Sequence, residues 1–235
     1  FIYDSFANQK NKGTHKALNR FRAMAFKISS NNTRTCWVLK CDIRKFFANI
    51  DHHILLQILR NYIPDQNIID LLERVIKSFE TAPGKGLPLG NLTSQLFANI
   101  YMNEFDQFVK HKLKARYYIR YADDFVILSL NKRELEELIP QIALFLKEQL
   151  KLALHPDKTF IKTLASGVDF LGWVHFPGYR CLRATTKRRM MTMIKKFHRE
   201  ETLRSYLGLL KHGNSYKLRK KTLMTHWLNS SNPVL

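Results

Sequence analysis

Cysteine is scarce in this chain of 235 residues, which holds only Cys36, Cys41 and Cys181. An odd count with no Cys-x-x-Cys spacing excludes a disulfide framework and gives no zinc pattern. The three read as small buried residues in a reducing compartment. Long apolar runs are missing too: no stretch of ~18 apolar residues exists, so no membrane span is expected. There is no signal-peptide pattern and no initiator Met before Phe1, so the sequence reads as a piece of a longer chain. Internal repeats and low-complexity tracts are also absent. Acidic residues are in short supply, 19 against 39 Lys and Arg, for a net charge of +20. That excess calls for an anionic partner, nucleic acid first.

What is present is a core and an uneven charge. Hydrophobic residues make up 45% of the chain, enough for a sizeable interior. Residues 1–41 carry net +7, residues 42–175 only +1, and residues 176–235 net +12. A near-neutral centre between two basic ends points to a surface for phosphates.

Apolar spacing at Ala17, Phe21, Ala25 and Ile28 predicts a helix over 13–28 with Thr14 as N-cap. Residues 35–43 read as a buried strand. Helices follow near 52–62, opened by Asp51, and near 66–80. Residues 82–91, with three Gly and two Pro, must be loop. A helix near 92–113 comes next, then a tight hairpin over 117–130 turning at Ala122-Asp123-Asp124. A helix over 132–150 should kink or break at Pro140. Short strands and turns fill 152–176, and 183–228 is helical and basic. Pro177-Gly178 marks the expected boundary.

Adjacent carboxylates between apolar flanks repel one another, and burial makes the repulsion worse. A hairpin turn lifts Asp123 and Asp124 to a sheet edge, and Asp42 closes the strand before it. Strands ending in carboxylates make an anionic nest for divalent cations. Two such ions stabilise phosphoryl transfer. The bland alternative is an Asp-Asp turn facing solvent.

Tyr121-Ala122-Asp123-Asp124 resembles the catalytic box of reverse transcriptases. Three more blocks agree in order: Cys41–His52, Gly86–Gln95, and Leu154–Thr159 with Val168–Trp173. The resemblance implies an α+β fold, a right-hand polymerase palm with partial fingers in 1–176 and a helical basic thumb in 177–235. It implies a metal triad of Asp42, Asp123 and Asp124, with the carbonyl of Ile43 as a further ligand for two Mg²⁺ (or Mn²⁺). Lys158 would assist pyrophosphate departure. Phe47 matches the steric gate against a ribose 2′-OH, with Phe46 beside it a core ring. Leu89, Gly90, Ser94 and Gln95 would lie at the nucleotide. Tyr121, Gly172 and Trp173 would meet nucleic acid, as would Lys187, Arg188, Arg189, Lys195 and Lys196. His52 and His53 read as a helix start and a surface residue.

Where most of the family has Gln-Gly and then Ser-Pro, this chain has Leu89-Gly90 and Ser94-Gln95. That pattern is similar to diversity-generating retroelement enzymes, which copy RNA with errors at adenines. Leu89 cannot hydrogen-bond the nucleotide, and such a loss eases mispairing. The alternatives are a group II intron-like or antiphage reverse transcriptase, or a catalytically silent RNA-binding scaffold. Implied partners are an RNA template, a DNA or RNA primer, dNTPs and an accessory protein of the retroelement, with no membrane and a bacterial or phage-encoded cytoplasmic location. The resemblance also implies that the fingers segment contacting the triphosphate would precede Phe1.

Overall fold

The computed structural model describes residues 1–197 and 199–230, with side chains through Trp227. The chain divides into two compact units, Phe1–Lys162 and Thr163–Leu235. Pro177 and Gly178 lie within the second unit, as the turn of a β-hairpin. The division after Lys162 falls earlier than the spacing of Pro and Gly suggests, because the strands on either side of that turn pair.

The first unit begins with an irregular segment and then α1 (Thr14–Ile28) and β1 (Trp37–Asp42). Three helices follow: the short α2 (Phe46–Asn49), α3 (His52–Tyr62) and α4 (Gln66–Lys77). The loop over 82–91 leads into α5 (Leu92–Gln107), which ends in a π turn, Phe108–Lys112. Then come β2 (Tyr118–Tyr121), β3 (Asp124–Ser129), α6 (Lys132–Leu150), a 3₁₀ turn (Pro156–Lys158) and β4 (Phe160–Thr163). Pro140 sits inside a continuous α6 rather than breaking it. It is exposed, so the carbonyl it deprives of a donor faces water.

The sheet order is β2-β3-β1-β4. β1 and β3 are antiparallel, with Leu39 opposite Ile127 and Cys41 opposite Phe125. These four pack with Tyr101, Phe105 and Leu146 from α5 and α6 in one core. Residues alternate faces along a strand, so Val38, Lys40 and Asp42 share the opposite face with Val126 and Asp124. The buried face of α1, with Leu18, Phe21 and Ala25, packs on β2 and β3. The centre of the sheet is therefore covered on both faces: β1, β2 and β3 are buried along nearly their whole length, while β4 is only partly buried.

Among its described residues the second unit holds a 3₁₀ turn (Leu164–Ser166), an antiparallel sheet and three helices. The sheet comprises β5 (Val168–Phe170), β6 (Trp173–Phe176) and β7 (Tyr179–Leu182). Its helices are α7 (Ala184–Lys196), α8 (Glu200–Leu210) and α9 (Tyr216–Ser230). Leu171 and Gly172, the two turn residues between β5 and β6, both have positive φ (51° and 81°). That is the backbone a two-residue hairpin of matching twist requires.

Candidate active site

The register of β1 and β3 places Asp42 directly opposite Asp124. Two carboxylates thus face each other at the end of a buried sheet. β2 and β3 close a two-residue hairpin in which Tyr121 pairs with Asp124, while Ala122 and Asp123 make the turn. Ala122 is held at φ 55°, a left-handed conformation that costs a non-glycine residue energy. A buried network braces it. The Arg120 guanidinium donates to the Ala122 carbonyl at 2.9 Å and to both oxygens of Asp106 at 2.8 and 2.6 Å. Arg120 also donates to Ser5 Oγ, and its backbone bonds to Asp4 and Phe6, tying the N-terminal segment to the hairpin. The Tyr118 hydroxyl donates to Asp106 at 2.7 Å. The residue before the turn, Tyr121, accepts a 3.1 Å bond from Thr14 Oγ1. Thr14 is thus the first helical residue of α1 and Gly13 its N-cap.

Two lysines sit on the facing carboxylates. The Lys40 ammonium is 2.9 Å from Asp124 Oδ1. The Lys158 ammonium reaches Asp42 at 3.1 and 3.3 Å. The 3₁₀ turn carrying Lys158 is fixed by its neighbour, since the His155 amide donates to the Asp42 carbonyl at 2.7 Å. Arg44 N–H bonds Ala153, so Ile43 faces Leu154 as an isolated bridge whose two hydrogen bonds flank it. The Ile43 carbonyl stays outside that ladder. Burial pushes the Asp124 carboxyl up to about 6; Lys40 opposes the rise, and Asp42 and Asp123 add to it. Burial also raises Asp123, with repulsion from Asp42 behind it.

Among the described residues, no three His, Cys, Asp or Glu side chains form a ready-made metal cage. The register itself brings Asp42 and Asp124 together, and Asp123 is one position away in the turn. Cross-strand carboxylates and an adjacent carbonyl are the oxygen donors that hard divalent cations take, and each carboxylate of the facing pair already carries a cation here.

The loop before α5 is tied to the same end. Phe47 is half-buried with its ring edge on Phe46, centroids 5.2 Å apart, and its carbonyl accepts from Leu87 N–H at 2.9 Å. His52 is buried, not a bare helix start: its Nε2 lies 2.6 Å from the Gly86 carbonyl. Gly90 stands at φ 93° in open space. Leu89 is 78% exposed, Ser94 is buried and Gln95 half-buried.

In the second unit, Lys187, Arg188, Arg189, Lys195 and Lys196 are all exposed on α7, whose apolar side buries Met190 and Ile194. Trp173 is only 2% exposed. The Arg180 guanidinium lies over its ring at 5.7 Å, and a Cβ at Gly213 would collide with that ring. Trp173 is thus a packing residue within its unit, not an exposed contact. Sequence reasoning missed Lys40, Arg120 and Asp106. An Arg between Ile119 and Tyr121, in an otherwise apolar strand, was the available signal for the network.

The sequence model of a family described as reverse transcriptase (RNA-dependent DNA polymerase) matches residues 1–175. The protein YkfC of Escherichia coli is 27% identical, covering 84% of this chain and 60% of that protein. The group II intron-encoded protein LtrA of Lactococcus lactis is 24% identical over 58% of this chain and 34% of its own length. The chain therefore spans between about a third and three fifths of these relatives. Among solved structures, apo telomerase from Candida tropicalis superposes with a TM-score of 0.62 at 12% identity, over 97% of this chain and 46% of that one. Telomerase from Candida albicans, solved with a telomeric RNA fragment, gives 0.59 at 12% over 97% of this chain and 49% of that one. At such identities the likeness shows the fold.

Proposed function

The chain belongs to the reverse transcriptase (RNA-dependent DNA polymerase) family, and we propose that it copies an RNA template into DNA at Asp42, Asp123 and Asp124. The observation that carries this is the cross-strand register of Asp42 with Asp124 inside the matched residues. Divalent-metal dependence is a general property of the family. The finer reading is two Mg²⁺ ions, replaceable by Mn²⁺, held by the three carboxylates and the Ile43 carbonyl. When bound, such ions supply activation of a hydroxyl nucleophile and charge balance at the leaving group. In the reaction the primer 3′-oxygen bonds to the α-phosphorus of a dNTP. The bond to the β-phosphate oxygen breaks, pyrophosphate leaves, and the hydroxyl proton passes to water.

The chain's own residues do the rest. Lys158, half-exposed on its 3₁₀ turn, is placed to leave Asp42 and put its charge on departing pyrophosphate. Phe47 would exclude a ribose 2′-OH. Gly90 lets backbone approach the nucleotide, with Leu89, Ser94 and Gln95 around it. Tyr121, braced by Thr14, and the Gly172 turn would touch the primer strand, and the cations of α7 would hold phosphates of the duplex. Its place is the cytoplasm of a bacterium, with an RNA template, a primer and a retroelement accessory protein.

Within the family, the relatives above support a group II intron-related origin, and Leu89 supports the error-prone, diversity-generating branch. Primer extension on an RNA template with Mg²⁺ tests both. Misinsertion concentrated opposite adenine, reduced by Leu89→Gln, supports the branch. Faithful copying supports an intron-like or antiphage enzyme. Without any extension the chain is an RNA-binding scaffold and the polymerase reading fails.

A further inference from the structure

Lys40 stands apart from the other cations of this basic chain because it is buried. Only 6% of it is exposed, and its neighbours on β1, Leu39 and Cys41, are fully enclosed. Its stem runs on the face shared with Val38 and with Val126 of β3, the neighbouring strand on which α1 packs. The ammonium has three N–H donors. Among the described residues its one protein hydrogen bond is to Asp124 Oδ1, at 2.9 Å. A buried charge held by a single partner is expensive, and this partner belongs to the carboxylate site.

Lys158 offers the contrast. It straddles both oxygens of Asp42, but its side chain is 53% exposed on a surface turn. It can swing into solvent or toward a substrate. Lys40 is fixed at mid-strand, two residues before Asp42 and diagonal to Asp124. It cannot leave, so any divalent cation on Asp124 must share that carboxylate with a resident positive charge.

We propose that Lys40 is a positioning residue for metal loading: its fixed charge holds Asp124 in place before a cation arrives and weakens divalent binding by sharing that carboxylate. This rests on reading Asp42 and Asp124 as metal ligands. The consequence is a site that is assembled without metal and releases its ions readily. A purely structural lysine would not affect divalent affinity upward, so the sign of the change separates the two roles.

The test is Mn²⁺ binding to the full chain, followed by the loss of free-Mn²⁺ electron paramagnetic resonance signal, alongside thermal melting with and without Mn²⁺. Lys40→Met keeps the length of the stem and removes the charge. It should bind Mn²⁺ about tenfold more tightly, as expected when a like charge a few ångströms away is deleted. Its melting temperature should rise more on Mn²⁺ addition than that of the unsubstituted chain. Lys40→Arg keeps the charge and should bind Mn²⁺ as the unsubstituted chain does, which keeps the test open if Lys40→Met does not fold. Equal or weaker Mn²⁺ binding by a folded Lys40→Met, or tighter binding by Lys40→Arg, overturns the proposal alone. Mn²⁺ binding that survives Asp124→Asn overturns the metal-site reading and the proposal with it.

Discussion

Single residues carry the energetics of this site. Asp124 has a carboxyl raised to about 6, chiefly by burial, against about 3.9 for an unfolded aspartate. The folded state therefore binds a proton more tightly than the unfolded one. In that case stability is greatest below the unfolded value and is lost as pH rises toward 6. Metal-free protein should melt at lower temperature at pH 7 than at pH 5, and Asp124→Asn should flatten that slope; a flat profile in the unsubstituted chain would count against the burial argument. Arg120 and Asp106 form the other residue-scale unit, both fully enclosed and 2.6 Å apart. Removing one partner of such a pair strands a buried charge at a cost of about 3–5 kcal/mol. Asp106→Ala should lower denaturant stability by that order and loosen the Ala122 turn, whereas a loss under 1 kcal/mol would show the network to be incidental. The Asp-Asp pair alone reads equally as a solvent-facing turn; the carboxylates were legible in the sequence because Tyr121-Ala122-Asp123-Asp124 and the blocks around it resemble the reverse transcriptase pattern. Lys40 was not, because a strand pattern read as buried gives no reason to expect a cation inside it.

At the scale of elements, the link between the loop over 82–91 and the α3 start runs through backbone bonds. Gly86 N–H donates to Ile50 and its carbonyl meets His52, while a Cβ there would lie 2.5 Å from Thr81 Oγ1. Gly86 also sits at φ 105°, which side-chain-bearing residues avoid. Gly86→Ala should displace the loop and weaken dNTP binding, seen as a raised KM for nucleotide with RNA affinity unchanged. An unchanged KM would separate this loop from the nucleotide. Periodicity found α1, α3, α6 and β1 to β3 at nearly their true limits, since each packs one apolar face or lies buried; it missed the short α2 and the strand β7, and read α7, α8 and α9 as one helical stretch. No break occurs at Pro140, because a proline facing solvent is tolerated in a long helix. The spacing of Pro and Gly put the division of the chain at Pro177-Gly178, where the two residues in fact turn one strand into the next.

Across the whole molecule, charge is unevenly divided. The unit holding the carboxylates is close to balanced after residue 41, and the exposed lysines and arginines of α7 belong to the other unit. Phosphate contacts of that kind make affinity fall steeply with salt and add little sequence preference. Such a division predicts that binding of RNA and chemistry on it are separable. Family membership follows from the match over residues 1–175, while the assignment of individual residues rests on register, burial and hydrogen bonding. The measurement that bears most directly on that assignment is incorporation of a single dNTP opposite an RNA template, with RNA affinity measured on the same samples. Asp42→Asn and Asp124→Asn should each abolish incorporation, by about 10³-fold or more, and leave RNA affinity within a few-fold of the unsubstituted chain. Incorporation at the unsubstituted rate in either variant would contradict the account at its centre.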